Sequence, residues 1–289
     1  MFSSLKSLVL ASLATSALAT TYSLTDNHVG KDFLSTFTHQ AIADPTHGRV
    51  NYVDQATALA QNLTFASGNT LIMRADSRTT LSASGPGRNS VRIRSVKTYT
   101  THAVVFDIRH MPQGCATWPA AWETLESNWP NSGEVDITGT STSLNCDANV
   151  NGNTGCGVQA PTTNSYGPSF NSNGGGWYAM ERTSTFIKVW FWPRNSGSVP
   201  SGVKNGGSSV DTANWGTPTA FFPNTNCDIN SHFGPNNIII NLTLCGDWAG
   251  IPSLYNGAGC PGDCVSYVNN NPSAFANAYW DIAAVRVYQ

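Results

Sequence analysis

Apolar and polar residues along this chain alternate in twos over short stretches, with Gly, Pro, Asn and Ser clusters between them. Val91-Arg92-Ile93-Arg94-Ser95 alternates strictly, and Val104–Arg109 does so less strictly. Phe186–Trp192 forms a third run that stops at Pro193, Ile238–Leu244 a fourth, and Trp280–Val287 closes the chain. A period of two puts alternate side chains on opposite faces of a strand. Long helical periodicity, heptads and internal repeats are absent. Many short strands separated by turn residues predict an all-β fold, a sandwich or barrel, and a β-jelly-roll sandwich is the expected form. Two polar stretches, 143–175 and 194–217, are expected to run over the surface, because buried loops strand backbone polar groups.

The first residues break this pattern. Lys6, the apolar Leu8–Ala11 and the small-residue site Ala17-Leu18-Ala19 read as a secretory signal peptide over residues 1–19. Residues 20–289 then form one domain of a secreted, extracellular protein. No run reaches the ~18 apolar residues of a membrane span. Seven cysteines in such a chain imply disulfides with one sulfur left over. Their spacing offers no zinc site, and no metal or cofactor is expected. Asn62-Leu63-Thr64 and Asn241-Leu242-Thr243 are glycosylation sequons, the second inside an apolar run where an unmodified strand Asn is as good a reading.

Charge narrows the partners. Fifteen basic and 17 acidic residues give a net charge of −2 without long runs of either sign. Nucleic acid and membrane are therefore poor partners, and a monomer is expected. Only 11% of residues are charged while nine are Trp, which suits a neutral, hydroxyl-rich ligand.

The chemistry gathers at Trp118-Pro119-Ala120-Ala121-Trp122 and Trp129-Pro130-Asn131-Ser132-Gly133-Glu134-Val135-Asp136-Ile137. On a strand, Glu134 and Asp136 share a face, and like charges so close must share protons or find cations. The whole chain holds four Glu.

This stretch resembles the active-site strand of glycoside hydrolase family 16, whose pattern is Glu-x-Asp-x-x-Glu or Glu-x-Asp-x-Glu. Val91–Ser95, Gly246-Asp247-Trp248 and Tyr279–Tyr288 extend the resemblance over nearly all of the mature chain. It is strongest to fungal laminarinase-type endo-β-1,3(4)-glucanases, and implies a concanavalin A-like jelly roll acting on β-1,3 or mixed β-1,3/1,4 glucans. Glu134 would be the nucleophile of a retaining hydrolysis and Asp136 would modulate its ionisation. Trp122, Trp129 and Trp248 would line the sugar groove, with Arg92 clamping a hydroxyl. Trp118 is as readily a core residue, and Trp190, Trp192 and Trp280 are expected in the core. Asp281 resembles a position that ligates calcium in some relatives, but a lone strand Asp is more often hydrogen-bonded structure.

The pattern is not completed. Retaining enzymes keep the two catalytic carboxyls ~5–5.5 Å apart, which places the acid/base four or five positions after Glu134. Thr138 and Gly139 stand there. Glu123 and Glu126 are the nearest substitutes. The Thr-x-His-Thr-like strand of the family is missing as well, since no His occurs between Ile137 and His232. An internal deletion after the Glu-x-Asp motif accounts for both, through a truncated splice form or an imperfect gene reading, and also for the odd cysteine, with Cys146 the leading orphan and its pairing with nearby Cys156 the alternative. The expected function is that of a family hydrolase crippled by loss of its acid. The alternative is a non-catalytic glucan-binding sandwich.

Overall fold

The computed structural model describes residues 21–136, 145–150, 152–153 and 155–289. Among these residues two large antiparallel sheets pack face to face. The smaller has five strands in the order Glu134–Asp136, Thr117–Thr124, Asn237–Leu244, Arg92–Ser95, Phe37–His39. The larger has nine, with the His102–His110 strand between Tyr279–Tyr288 and Gly176–Arg182, and Phe186–Pro193 and Ala220–Pro223 following on one side. Ile93, Ala121, Val135, Ile238 and Ile240 from the small sheet meet Val104, Phe106, Met180, Ile187 and Val285 from the large one. This is the jelly-roll sandwich that the alternation predicts.

The register of the small sheet decides which side chains face outward. Asp136 lies opposite Trp122, Trp122 opposite Ile239, and Ile239 opposite Arg94. Directly opposed residues share a face. Val135, Glu123, Ile238 and Ala121 therefore point into the core, and Glu134, Asp136, Trp122, Trp118, Asn241 and Arg92 point away from it. Four of the five alternating runs coincide with strands to within one or two residues, and the fifth, Val104–Arg109, lies inside His102–His110.

The polar stretch 194–217 does more than cross the surface. It supplies Val203, Val210 and Trp215, which cover Trp190 and Trp192 on the outer face of the large sheet and form a second core there. Trp190 and Trp192 are thus buried as expected, but against this segment and not between the sheets. Trp280 is wholly enclosed, its indole N–H donating to the Asn241 carbonyl at 3.1 Å. The stretch 143–175 likewise sends Phe170 into the main core from a helical turn, Gly167–Ser172. Its polar composition hides these single anchors.

Asp281 accepts from Arg109 at Nε (3.0 Å) and Nη2 (2.6 Å), so its carboxylate is engaged within the protein. Asn62 is exposed at a positive-φ turn, whereas Asn241 is buried at 5% exposure. No helix among the described residues is long and apolar enough to cross a membrane. The leader read at residues 1–19 and the place of the expected deletion, directly after Asp136, lie outside the described residues.

Disulfides join Cys115 to Cys260, Cys245 to Cys264 and Cys146 to Cys156, leaving Cys227 exposed and unpaired. This corrects the choice of Cys146 as orphan: Cys156 lies only ten residues on and closes a short local loop with it. Alkylation of the folded, unreduced protein should therefore add one label, at Cys227. A label at Cys146 would contradict this pairing.

Candidate active site

The Glu134–Asp136 strand begins at a tight turn. Gly133 has φ of +73°, and a Cβ there would come within 2.4 Å of Cδ1 of the Phe233 ring, so only glycine fits on both counts. Thr124 Oγ1 donates to the Gly133 carbonyl at 2.8 Å and ties the turn to the neighbouring strand. The turn brings Trp129 back over the strand, where its indole Nε1 donates to Glu134 Oε2 at 2.7 Å. Asp136, two residues on, is hydrogen-bonded to Glu134 as well.

Glu134 and Asp136 both keep solvent-accessible surface, yet each carboxyl is flanked by enough protein for burial to dominate its ionisation. Burial raises Glu134 above the ordinary carboxylate value, against the opposing pull of the Trp129 and Asp136 hydrogen bonds and the Arg92 charge. Asp136 is raised much further, first by burial and then by the neighbouring Glu134 charge. Of the two carboxyls Asp136 is the one whose proton is held more tightly, so as the pair titrates Glu134 is the first to take up charge, with the indole as its donor. The result is a carboxyl with an indole donor and a second carboxyl as immediate partners, an arrangement suited to a nucleophile or to stabilising a cationic centre.

Trp122 stands beside this pair. Its Nε1 donates to Asn241 Oδ1 at 2.8 Å, and the Arg92 guanidinium lies 5.2 Å from its ring centroid. Arg92 is itself only 3% exposed and donates to Gln40 (2.9 Å) and Glu126 (2.5 Å). Most of its surface is spent inside the protein, so its visible work is to hold Trp122 and Glu126. Trp129 and Trp248 are 45% and 48% exposed, and Trp118 is half-buried against Trp248 at 5.5 Å. Trp118 and Trp122 sit about 13 Å apart along their strand at ~3.3 Å per residue. The outer face thus presents Trp248 and Trp118 at one end, Trp122 in the middle, and Trp129 with the carboxyls at the other. All six residues named from the sequence converge on this face. Asn241, the buried acceptor that orients Trp122, was missed, because the sequon masks its structural role.

The remaining three Glu are committed elsewhere. Glu123 points into the core, wholly buried, 2.9 Å from His102 Nε2. Glu181, on the other sheet, accepts from Tyr22 at 2.9 Å and is 1% exposed. Glu126 reaches over the face to Arg92, Arg94 and Gln40. Burial pushes Glu126 up, but these three partners together pull it below its ordinary value. A pocket lined by His47, Asp247, Tyr255, Asn256 and Asp263 lies beyond Trp248 and contains neither Glu134 nor Asp136. The open face, where the paired carboxyls and the aromatic rings meet, is the better site. Among the described residues no cluster of three or more His, Cys, Asp or Glu could hold a metal ion.

The family model described as the XgeA-like catalytic domain of family GH16 matches residues 37–140 and 138–288. The chain belongs to glycoside hydrolase family 16. Among its GH16 relatives, a probable glycosidase of Schizosaccharomyces pombe is 40% identical, the match covering 94% of this chain and 70% of the relative. A probable endo-1,3(4)-β-glucanase of Aspergillus niger is also 40% identical, over 323 residues, covering 99% of this chain and 42% of that one. The chain therefore spans less than half the length of that relative. The laminarinase 16A of Phanerochaete chrysosporium, solved with 6-O-glucosyl-laminaritriose in donor and acceptor sites, is 70% identical. It superposes with a TM-score of 0.91 over 93% of this chain and all of its own. An elongating GH16 β-1,3-glucosyltransferase is 35% identical with a TM-score of 0.82, over 93% of this chain and all of its own.

The raised carboxyl pair makes a prediction about this GH16 fold. Both carboxyls are raised in the folded chain, Asp136 further, so the folded pair binds protons more tightly than the unfolded chain, whose values lie near 4.5 and 3.8. The stability contributed by the pair therefore falls as pH rises above that range. Asp136→Asn removes the group raised furthest, so the variant should lose less stability than the wild type as pH climbs. Thermal melts of both proteins across that range check this, and parallel curves would refute it.

Proposed function

We propose that this chain is a secreted protein directed at β-1,3 or mixed β-1,3/1,4 glucans, with Glu134 as the nucleophile of a retaining mechanism. Its hydrolysis of natural glucans is crippled by loss of the acid/base glutamate. The observation that carries the reading is the Trp129–Glu134–Asp136 arrangement on a face lined with tryptophan. In the proposed chemistry Glu134 attacks the anomeric carbon as the glycosidic C–O bond breaks. The leaving oxygen departs unassisted and takes its proton from water, and a second water cleaves the glycosyl ester to free Glu134. Asp136, holding its proton more tightly, leaves the charge to Glu134. Trp122, Trp129 and Trp248 stack on the pyranose C–H faces, and Arg92 keeps Trp122 in place.

Several observations support the loss of the acid. Thr138 and Gly139 occupy the positions where the family motif wants it, and none of the other three Glu reaches Glu134's side of the face unengaged. The two stretches matched by the family model meet at residues 138–140. The alignment with the Aspergillus niger relative is longer than the chain's 289 residues, so that relative carries residues without counterparts here. Among the described residues Glu134–Asp136 is an edge strand, and one cysteine lacks a partner. An internal deletion beside that edge explains all of these together. The disulfides and the leader-like residues 1–19 support secretion, with residues 20–289 as the mature domain acting as a monomer. The glucosyltransferase relative supports transfer to a second sugar as an outcome of the same intermediate.

The second reading, a binding module that keeps the face and performs no chemistry, is favoured by that same missing acid. Two substrates separate the readings. General acid assistance is worth about 10²–10⁴-fold, so laminarin cleavage should be slower than that of an intact relative by such a factor. A dinitrophenyl β-laminarioside, whose leaving group departs without a proton, should still turn over, and Glu134→Ala should abolish that turnover. Binding of laminarin with no turnover of the aryl glycoside would establish the binding module instead. Laminarin cleavage at full family rate would show that an acid is present.

A further inference from the structure

The Trp129–Glu134 turn rests on a buried ion that lies outside the aromatic face. Arg182 ends the Gly176–Arg182 strand of the opposite sheet and is 1% exposed. Its Nε donates to the Thr100 carbonyl at 2.7 Å, and its Nη2 to the carbonyls of Tyr99 (2.6 Å) and Gly234 (2.9 Å). With the Asn236 amide turned so that its oxygen faces the guanidinium, Nη1 donates to it at 3.0 Å. The Asn236 amide nitrogen then donates to the Ser132 and Gly234 carbonyls, both at 3.1 Å. Gly234 N–H also donates to the Ser132 carbonyl at 3.2 Å, and Asn128 Nδ2 to Ser132 Oγ at 2.7 Å. Phe233, on which Gly133 lies, has the guanidinium 5.9 Å from its ring centroid. The charge that balances Arg182 is Glu123, wholly buried beneath the same strands.

Burying a guanidinium is costly unless its donors and its charge are both satisfied. Here one planar fork satisfies carbonyls from two separate segments, 99–100 and 234–236, and the second of these carries the turn. A lysine at this position supplies the charge without the fork. We infer that Arg182 is a positioning residue for Glu134: through Gly234 and Asn236 it fixes Ser132 and Gly133, and so the seat from which Trp129 reaches the Glu134 carboxylate. The functional part of this inference rests on Glu134 being the reacting group, as proposed above.

The test follows the indole N–H groups of the ¹⁵N-tryptophan-labelled protein by NMR, in wild type, Arg182→Lys and Asn236→Ala. Asn236→Ala keeps the Arg182 and Glu123 charges and removes the amide's bonds to Arg182 Nη1, Gly234 and Ser132, so it serves if Arg182→Lys does not fold. In either variant the Trp129 indole should lose the shift and exchange protection that its bond to Glu134 gives it. The Trp122 indole, bonded to Asn241 on the same face, should be unchanged. Turnover of the dinitrophenyl laminarioside should fall toward the ~10²-fold expected for a misplacement of about 1 Å, with KM little altered. Loss of protection at Trp122 and Trp129 together, or at neither, would overturn the positioning role. Glu134→Ala separates the two layers: if it leaves turnover intact while the indole result holds, the reading of Glu134 as nucleophile fails and the clamp on the turn stands.

Discussion

The Thr117–Thr124 strand sits between the carboxylate edge strand and Asn237–Leu244, and its register fixes everything the outer face presents. With a side-chain period of two, Trp118, Ala120 and Trp122 face outward while Ala121 and Glu123 face the core. A slip of one residue would bury Trp122 and expose Glu123. The core opposes such a slip, because Ile238, Ile240 and Val135 pack around Ala121 in one register only. The Trp122–Asn241 and Trp280–Asn241 hydrogen bonds then tie the two faces of the sheet through a single buried asparagine. The proposed glucan stacking and carboxylate chemistry both depend on that pairing.

The disposition of charge follows from the same alternation. Four glutamates in a chain this poor in charge can each be traced to a partner: His102, Tyr22, the Arg92–Arg94 pair, and for Glu134 the Trp129 indole and the neighbouring Asp136. Glu181 and Glu134 are the two held by neutral donors, and of these Glu181 is enclosed while Glu134 opens on the outer face. Glu126 is the instructive contrast. It lies near enough in sequence to suggest a substitute acid, but two guanidiniums hold it ionised, and a general acid must hold a proton.

Much of this was legible in the sequence, and the rest was not for identifiable reasons. Period-two runs such as Arg92–Ser95 announce half-buried strands directly. Glu134 and Asp136 stand out because acids are scarce and their spacing puts them on one face. Trp190 and Trp192 were legible as buried, but the segment that covers them was not, because Val203, Val210 and Trp215 are isolated apolar residues in a polar stretch. The cysteine pairing depends on loop geometry that spacing does not encode, and so Cys227 took the place assigned to Cys146. Asn241 and Arg182 carry no local signal at all: each matters through partners 50 to 120 residues away, as in the Asn241–Trp122 and Arg182–Gly234 bonds.

The central claim is that the Glu134 carboxylate, held by Trp129 and Asp136, bonds to an anomeric carbon. Its most direct measurement is covalent trapping with a dinitrophenyl 2-deoxy-2-fluoro-β-laminarioside, followed by peptide mass spectrometry. The electron-withdrawing fluorine slows release of the intermediate, and the activated leaving group needs no acid. The account predicts one added glycosyl unit, located on Glu134. An adduct on Glu126 or another carboxylate, or an unlabelled protein that nonetheless binds the reagent, would contradict it.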